Sequence, residues 1–512
     1  MMRESVREWG LERSVSRVTL HPTSPISPLP FVDLLTLRAA AGGGSVDGIA
    51  AATLIAAGFT LLQRSPLLVR ALAGRRAAIL VPTSPQFLVA LAASDGRGAV
   101  LVNPLAVGVE ISYELHDANV GAVFTLRALA PRLAAGTVHV LLDDAPRSAE
   151  VVASDGTSSR VDLGSHFGLE LEGDGDEPGR DEECVIVYTS AMAGRPLGAI
   201  LTHRNLLASA AQAVQAAQFG TGDHLLALLP YSHLFGLTGS AIAPLIAGAR
   251  VSTMERFNAI TAVDRIMHEG VSAIVGAPAN FAVLLAAVER HGCAFEAPAL
   301  RICICGGAPL SEELQSRWTA ATGVELRQWY GLTEASSIAL GDRLPDANRR
   351  GAIGVPFPGV RVSIRDPERS APLQQGAEGE ICIAGETVFR GYVSGGQNGL
   401  QVRDGWLHTG DRGVENADGT YSFRGLIKLM FTHDGFKVYP REVERVIGEM
   451  PGVSAVRVYS VNDPASGHEV AAAVAADVAG TVSASDVKSW AEQKLAAYKR
   501  PSRITIVAEI TQ

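Results

Sequence analysis

AAILVPTSPQFLVALAASDGRGAVLVNP (residues 77–104) contains two short apolar runs on either side of a helix-like segment. Both runs, 77–82 and 99–104, end in proline. The segment between them opens with Ser84 and Pro85, a pair typical of a helix N-cap followed by its first turn. The order strand, helix, strand predicts a parallel sheet that helices cover on both faces.

The same alternation returns in the middle of the chain, where AIVGAP (273–278) and RICICGG (301–307) each precede a helix candidate. After about residue 350 the runs GVRVSIRD, GEICIAG and TYSFRG are short and separated by turn residues, which is typical of antiparallel strands. A helix pattern, YPREVERVIGEM, and two strand patterns, AVRVYSV and EVAAAVAAD, follow. We therefore expect an α/β fold. A large N-terminal domain (1–425) has two βαβ-type layered subdomains plus a small β-barrel, and a small α+β C-terminal domain (426–512) follows.

Composition excludes several classes of protein. The 512 residues carry 44 Lys+Arg against 53 Asp+Glu, a net charge of −9, without a long basic run, so we expect no nucleic-acid binding. The apolar stretch 48–62 falls short of the roughly 20 residues that a membrane-spanning helix needs, so it predicts a buried helix. The acidic, polar segment 150–182 predicts a surface excursion.

The N-terminal segment MMRESVREWGLERS has no apolar core of the kind a secretory signal needs. No two cysteines have CxxC spacing, and Cys303 and Cys305 lie on one face of an apolar run, where packing is the better interpretation than metal or redox chemistry. We expect a cytoplasmic protein. The cysteines are Cys184, Cys293, Cys303, Cys305 and Cys382.

Six separated segments carry the residues suited to chemistry. In chain order they are VYTSAMAGRPLGAILTH (187–203), LLPYSHLFGL (228–237), CGGAPL (305–310), QWYGLTE (328–334), GWLHTGD (405–411) and FRGLIKLMFTHDGFKVYPREVE (423–444). In this order and spacing they resemble the adenylate-forming superfamily, which includes acyl- and aryl-CoA synthetases, luciferases and peptide-synthetase adenylation domains. The resemblance covers nearly the whole chain, and the chain looks closest to the fatty-acid and acyl-CoA ligases.

The resemblance implies a reaction in two halves. A carboxylate attacks the α-phosphate of ATP, which gives an acyl-adenylate and pyrophosphate. A thiol, from coenzyme A or a phosphopantetheine, then displaces AMP. The implied cofactors are ATP/AMP, Mg²⁺ and coenzyme A. The implied partners are a small-molecule carboxylate, with a fatty acid favoured, and CoA or an acyl carrier protein.

The resemblance also implies roles for residues around the nucleotide. Glu334 corresponds to the magnesium-binding carboxylate, with Thr189 as a second oxygen donor, and Thr333 to a group that bonds the α-phosphate. Asp411 corresponds to the carboxylate that accepts hydrogen bonds from the ribose hydroxyls. The residues expected around the adenosine are Gly306, Gly307, Ala308, Pro309, Tyr330, Gly331 and Leu332.

The acyl and thiol groups have their own candidates. His233 corresponds to the family's histidine at the mouth of the acyl site, although a lone histidine among Leu and Phe is ordinarily a core residue. Lys428 is retained from the family's hinge segment, and Gly435 stands where the pantetheine passes the backbone.

The phosphate loop departs from the family pattern Ser-Gly-Thr-Thr-Gly-x-Pro-Lys-Gly. Ser190 and Gly194 are retained, but Met192 and Ala193 stand where the pattern has hydroxyls, and Leu197 stands in place of its lysine. Each lost charge-assisted contact is worth ~1.5–3 kcal/mol, so we expect pyrophosphate to be held more loosely.

The hinge and the C-terminal segment depart as well. Leu426 and Leu429 replace an arginine and an aspartate of the family's hinge, and Arg424, one place earlier, is the candidate substitute for the arginine. The sequence stops at Gln512, before the position of a family lysine that acts in adenylation. These departures predict that adenylation is affected more than thiol transfer.

Three functions are consistent with this pattern. The first is an acyl-CoA ligase whose adenylation is slowed or altered. The second is an acyltransferase that passes an adenylate's acyl group to a carrier-protein thiol or an amine. The third is a non-catalytic binder of acyl groups or nucleotides. The departures gather around pyrophosphate and domain rotation while the adenosine and magnesium positions are intact, which favours the first.

Overall fold

The computed structural model describes residues 19–20, 43–94, 98–164, 171–172, 182–189, 196–290, 295–367, 369–394, 402–427, 431–434, 436–463, 467–478, 481–507 and 510. The two apolar runs of the opening stretch form strands Arg76–Leu80 and Ala99–Leu101, which pair in parallel as predicted. Helix Pro85–Ala93 connects them. Ser84 stands at the N-cap and Pro85 in the first turn, as predicted, although the Ser84 hydroxyl donates to the Pro82 carbonyl at 3.2 Å and not to the helix start.

In the described part of the chain the first sheet has nine strands, and its middle strands are parallel. Across the sheet they are Gly391–Tyr392, Leu197–Thr202, Glu183–Thr189, Ala99–Leu101, Arg76–Leu80, Val120–Thr125, His139–Leu141, Ser148–Val152 and Ser158–Asp162. The last two form an antiparallel hairpin at the edge, so this part of the predicted surface excursion is regular structure. A separate strand pair joins Thr19–Leu20 to Leu171–Glu172.

The apolar stretch 48–62 forms a buried helix, as predicted, and it is one of several helices that cover this sheet. They are Ala51–Arg64, Pro66–Leu72, Pro85–Ala93, Gly108–Asp117 and the short 3₁₀ turn Ala130–Arg132. Gly58 allows the first helix to lie against the third, because a Cβ there would collide with the Val89 carbonyl. Among described residues no single helix has the length and apolarity to cross a membrane. Helices Ala51–Arg64 and Pro66–Leu72 have that length and apolarity only when taken together, and an 88° bend separates them.

The second sheet, counted over the described residues, also has nine strands and repeats the parallel arrangement at its centre. Across it lie Val355–Pro356, Leu340–Gly341, Leu326–Tyr330, Ile302–Gly306, Ala273–Gly276, His224–Ala227, Arg250–Ser252, Ser45–Val46 and Ile49–Ala50. Its helical segments are His203–Ala217, Leu234–Leu237, Thr238–Ile242, Ala243–Ile246, Ala259–His268, Pro278–Arg290, Glu312–Thr322 and Thr333–Ala335. Cys303 and Cys305 are buried in its core, as their predicted packing role requires.

The unit after residue 350, called here the third sheet, is antiparallel and has five strands among the described residues. Its strands are Val360–Arg365, Glu378–Gly385, Val402–Arg403, Trp406–Glu415 and Tyr421–Leu426. The predicted fold class, α/β with an antiparallel unit and a small α+β part at the C-terminus, is confirmed.

The C-terminal part has its own buried core, which includes Val443, Ile447, Val470 and Val474. A hairpin, Phe431–His433 with Phe436–Val438, precedes a three-stranded sheet of Val453–Asp463, Gly467–Ala476 and Arg503–Val507. Helices Pro440–Gly448 and Ala484–Lys494 and the 3₁₀ turn Ala497–Lys499 complete it. A separate core is what a C-terminal domain requires. The boundary at 425/426 stays a prediction.

Candidate active site

Two parallel strands of the second sheet, Ile302–Gly306 and Leu326–Tyr330, end at the same edge, where ligands of such sheets commonly bind. Their following loops and the third sheet enclose a cavity of about 420 Å³, called here the larger cavity. Six of the residues expected around adenosine and ribose line it, namely Gly307, Ala308, Pro309, Tyr330, Gly331 and Asp411.

Three glycines where these two strands end are needed for different structural reasons. Gly307 has φ +83°, a left-handed conformation. A Cβ on Gly306 would lie 2.7 Å from the Trp329 carbonyl and 3.0 Å from the Phe235 ring. A Cβ on Gly331 would collide with the Ser337 carbonyl. The protein's own packing therefore already requires Gly306 and Gly331, whatever ligand approaches the backbone.

Asp411 is a buried carboxylate fixed from several sides. The Tyr330 hydroxyl donates to its Oδ2 at 2.6 Å, and its own backbone N–H donates to Thr409 Oγ1 at 3.1 Å. Burial raises the pKa of Asp411, and the nearby Lys437 ammonium acts in the opposite direction. The side chain at the end of TGD thus lies in the cavity wall as an oriented acceptor.

Behind Asp411 lies a buried cluster of Glu380, Cys382 and His408 whose ligand atoms are within 4.8 Å of one another. His408 Nδ1 lies 2.7 Å from Glu380 Oε2, and its Nε2 lies 2.8 Å from Ser370 Oγ. Glu380 Oε1 accepts the N–H of Gly410 at 2.8 Å. Because these atoms already bond one another and the backbone, we interpret the cluster as a brace for the Asp411 strand rather than a metal site.

Glu334 lies on a buried 3₁₀ turn directly after the YGL segment. Its Oε1 accepts from the Tyr392 hydroxyl at 2.8 Å, and Thr189 Oγ1 lies 3.5 Å from the same oxygen. Carboxylate and hydroxyl oxygens are the donors that Mg²⁺ takes, so Glu334 and Thr189 fit a magnesium site. The sequence did not indicate Tyr392, which reaches Glu334 from strand Gly391–Tyr392 of the first sheet.

A narrow cavity of about 90 Å³ runs past Thr189, His233 and Thr333 toward Phe436 and Lys437, and is called here the narrow cavity. His233 caps the short helix Leu234–Leu237, and its Nδ1 accepts the Phe235 N–H at 3.2 Å. Burial and Lys437 lower the pKa of His233 to about 4. The ring is therefore neutral at pH 7, and because Nδ1 is an acceptor its proton is on Nε2.

Lys437 lines both cavities, and it is the residue they share among their described lining residues. It lies on strand Phe436–Val438 of the C-terminal part. The sequence analysis missed it, although it belongs to the GFKVYP segment. The signal in the sequence was that Lys437 lies two places after Gly435, the position where the pantetheine is expected to pass the backbone.

Other expected site residues are placed less favourably or not described. Arg424 is exposed and lies at an irregularity in the pairing of its strand, while its neighbours Phe423 and Gly425 line the larger cavity. Its assignment as a nucleotide contact is therefore not supported. Leu426 lines that cavity and Leu332 is buried. Ser190, Gly194, Lys428, Leu429 and Gly435 lie outside the described residues.

Sequence comparisons agree with this geometry. Residues 68–393 match the AMP-binding enzyme family, and residues 442–512 match the AMP-binding enzyme C-terminal domain. A feruloyl-CoA synthase from Amycolatopsis sp is 32% identical over 444 residues, which is 84% of each chain. A long-chain-fatty-acid–CoA ligase of Bacillus subtilis is 26% identical over 84% of this chain and 81% of its own.

Solved structures show the same fold. The amide bond synthetase from Marinactinospora thermotolerans gives a TM-score of 0.78 at 23% identity, over 94% of this chain and 96% of that one. The double mutant of o-succinylbenzoate CoA synthetase from Bacillus subtilis gives 0.76 at 22% identity, over 94% and 95%. The chain is thus an adenylate-forming enzyme. Within that superfamily it belongs to the AMP-binding, ATP-dependent acyl-CoA ligase family.

Proposed function

We propose that the protein activates an apolar carboxylic acid with ATP as an acyl-adenylate and then transfers the acyl group to the thiol of coenzyme A. One observation carries the proposal. The larger cavity, with Asp411 in its wall, and the narrow cavity, with Thr189, Thr333 and His233, adjoin at Lys437. An adenosine in the first and a thiol entering by the second would meet at one point.

In the first half-reaction, a carboxylate oxygen bonds to the α-phosphorus of ATP and pyrophosphate leaves. Asp411 would orient the ribose, and Thr333 would donate to the α-phosphate. Glu334 and Thr189 would hold Mg²⁺, which supplies neutralising charge to the phosphates. With leucine at 197 in place of the family's lysine, we expect weaker stabilisation of pyrophosphate.

In the second half-reaction, the C–S bond forms, the bond from the acyl carbon to AMP breaks, and the thiol proton passes to water. Lys437 is placed to pair its ammonium with the phosphate of the departing AMP. The neutral His233 ring offers an Nε2–H donor beside the path. Charge stabilisation of the leaving group is worth most in a site walled off from water, and both Asp411 and Glu334 are buried here.

The acyl group would occupy the apolar surroundings of Phe235. The ring of Phe235 lies 3.6 Å from where a Cβ on Gly239 would be, and 3.0 Å from where a Cβ on Gly306 would be. The ring is buried and closely packed, and its neighbours, with Val275 beside Gly239, are apolar, which favours an apolar rather than a charged acyl chain. Fatty acids are the first class to test. Cinnamic acids are the second, because a relative is a feruloyl-CoA synthase.

The test is pyrophosphate release over a panel of fatty, cinnamic, dicarboxylic and sulfonated acids, with ATP and Mg²⁺ and with or without CoA. We expect release with apolar monocarboxylates, accelerated by CoA. The absence of release with every acid, from a folded protein that binds AMP, would contradict the proposal.

A second candidate is acyl transfer from a ready-made adenylate to another acceptor, a carrier-protein thiol or an amine. The leucines at 197 and 426 favour it, because both replace family side chains expected near the phosphates while the transfer residues remain. A synthetic acyl-adenylate offered with CoA, a phosphopantetheinylated carrier or an amine separates the acceptors. We place either activity in the cytoplasm, in keeping with the free, buried thiols of the described cysteines.

A further inference from the structure

A buried ion cluster joins the N-terminal part of the chain to its C-terminal part. Lys499 Nζ lies 3.0 Å from Glu110 Oε1 and 2.9 Å from Glu442 Oε1. Lys499 is only 5% exposed. Glu110 belongs to helix Gly108–Asp117 beside the first sheet, whereas Glu442 and Lys499 belong to the C-terminal part. The Lys499–Glu110 pair thus crosses from one part of the protein to the other.

Glu110 is held in place for this contact. Its Oε2 accepts the Val107 N–H at 3.0 Å from its own helix start. Its Oε1 accepts the Ala496 N–H at 3.2 Å as well as the lysine ammonium. One carboxylate therefore ties the start of an N-terminal helix to the turn that carries Lys499.

The cluster also forms one end of the narrow cavity. Glu110, Glu114, Tyr498 and Lys499 line it together with Thr189, His233 and Lys437. The Tyr498 ring stacks on Phe436 with centroids 4.4 Å apart, which connects the turn to the strand that carries Lys437. The position of the Lys499 turn against Glu110 is therefore mechanically linked to the position of Lys437 in the site.

We propose that the Lys499–Glu110 pair is a latch that holds the C-terminal part in the orientation that brings Lys437 to the active site for thiol transfer. This inference rests on the proposed function. Lys499 acts here as a positioning residue, since it reaches the site through its turn and not by touching the reacting atoms.

The third carboxylate explains how such a latch can open. Glu442 is in the same C-terminal part as Lys499, so the ammonium keeps one paired carboxylate when that part moves away. Glu110 would meanwhile gain water. When the pair opens, neither Lys499 nor Glu110 is therefore left both buried and unpaired. Breaking a buried ion pair is very unfavourable only when a charge stays buried without a partner. The pair therefore favours one orientation without locking it.

The sharpest variant is Glu110→Gln, because it removes the charge, keeps the shape and lies outside the C-terminal core. The matched control is Lys488→Gln on the exposed face of helix Ala484–Lys494. Spin labels at Ser158 and Ser485, both exposed, report the distance between the two parts. The native cysteines that react with the label are replaced first.

We expect Glu110→Gln to broaden or shift the distance between the two labels. It should also slow thiol transfer from a synthetic acyl-adenylate to CoA about tenfold, whereas the rate of pyrophosphate release should not fall. Lys488→Gln changes neither. Lys499→Gln should change the distance at least as much, because it removes the same pair and also leaves the buried Glu442 without its cation. An unchanged distance in Glu110→Gln would overturn the latch. If no substrate is turned over, the distance measurement still decides the latch and only the proposed function fails.

Discussion

The Tyr330 hydroxyl donates to Asp411 Oδ2 across 2.6 Å, although 81 residues separate the two in sequence. This bond joins the carboxyl edge of the second sheet to the antiparallel third sheet. The adenosine-side residues of the predicted site are therefore brought together by the packing of two separate sheets.

Asp411→Ala should weaken AMP binding. A hydrogen bond to a charged group contributes about 1.5–3 kcal/mol, so we expect roughly a 10- to 100-fold loss of affinity. Titration calorimetry with AMP measures it, and Asp418→Ala, on an exposed turn of the same sheet, is the control. Equal affinities of Asp411→Ala and the unmodified protein would remove Asp411 from the nucleotide site.

The protein should bind an acyl-adenylate analogue more tightly than ATP. The groups described here match the adenosine monophosphate portion, whereas the loop that would hold pyrophosphate has leucine at 197. Calorimetry with a non-hydrolysable acyl-sulfamoyl adenosine and with ATP plus Mg²⁺ compares the two. A markedly tighter complex with ATP would contradict this view of the loop.

Glu334→Gln should abolish measurable AMP formation, since it removes the charge that would hold Mg²⁺. Loss of one such charge-stabilising group commonly costs about 10²–10³ in rate. The matched control is Glu313→Gln, whose side chain is 79% exposed on a neighbouring helix. Full activity of Glu334→Gln would show that magnesium is held elsewhere.

Lys437→Gln should slow thiol transfer more than adenylation. The ammonium would act on the departing AMP, so kcat of transfer should fall about 10- to 100-fold with KM for CoA nearly unchanged. Single-turnover transfer from a synthetic adenylate separates this effect from binding. A change confined to KM would mean that Lys437 only helps CoA to bind.

Glu114→Gln should stabilise the protein in a pH-dependent way. Burial raises the pKa of Glu114 to about 8 from 4.5, with Glu110 adding to the shift. The folded state keeps the proton that the unfolded chain loses above pH 4.5, so wild-type stability falls as the pH rises toward 8. Thermal unfolding at pH 5, 7 and 9 should show a difference between variant and wild type that grows up to about pH 8 and then stays constant. A constant difference across this range would refute the shifted pKa.

Local patterns predicted much of the fold. Strands Arg76–Leu80 and Ala99–Leu101 were recognisable because the apolar runs 77–82 and 99–104 have the length of a buried strand and each ends in proline. The alternation also indicated which strands are parallel. Ser84 shows the limit, since its hydroxyl takes the Pro82 carbonyl instead of capping the helix.

The site was predictable only where one segment carries its own chemistry, as YGLTE and TGD do. Lys499 and Glu110 are 389 residues apart, and nothing local to either indicates their contact. Tyr392 reaches Glu334 only because the first sheet packs beside the second. The Arg424 assignment is not supported because its side chain is exposed at an irregularity in the strand pairing, which no local sequence pattern indicates.

The most direct measurement of the central claim follows AMP and acyl-CoA together by mass spectrometry in one reaction with ATP, Mg²⁺, CoA and the best acid of the panel. The proposed function predicts one AMP for each acyl-CoA formed, and neither product with Glu334→Gln. AMP or acyl-CoA appearing without the other, or neither appearing with any acid, would contradict it.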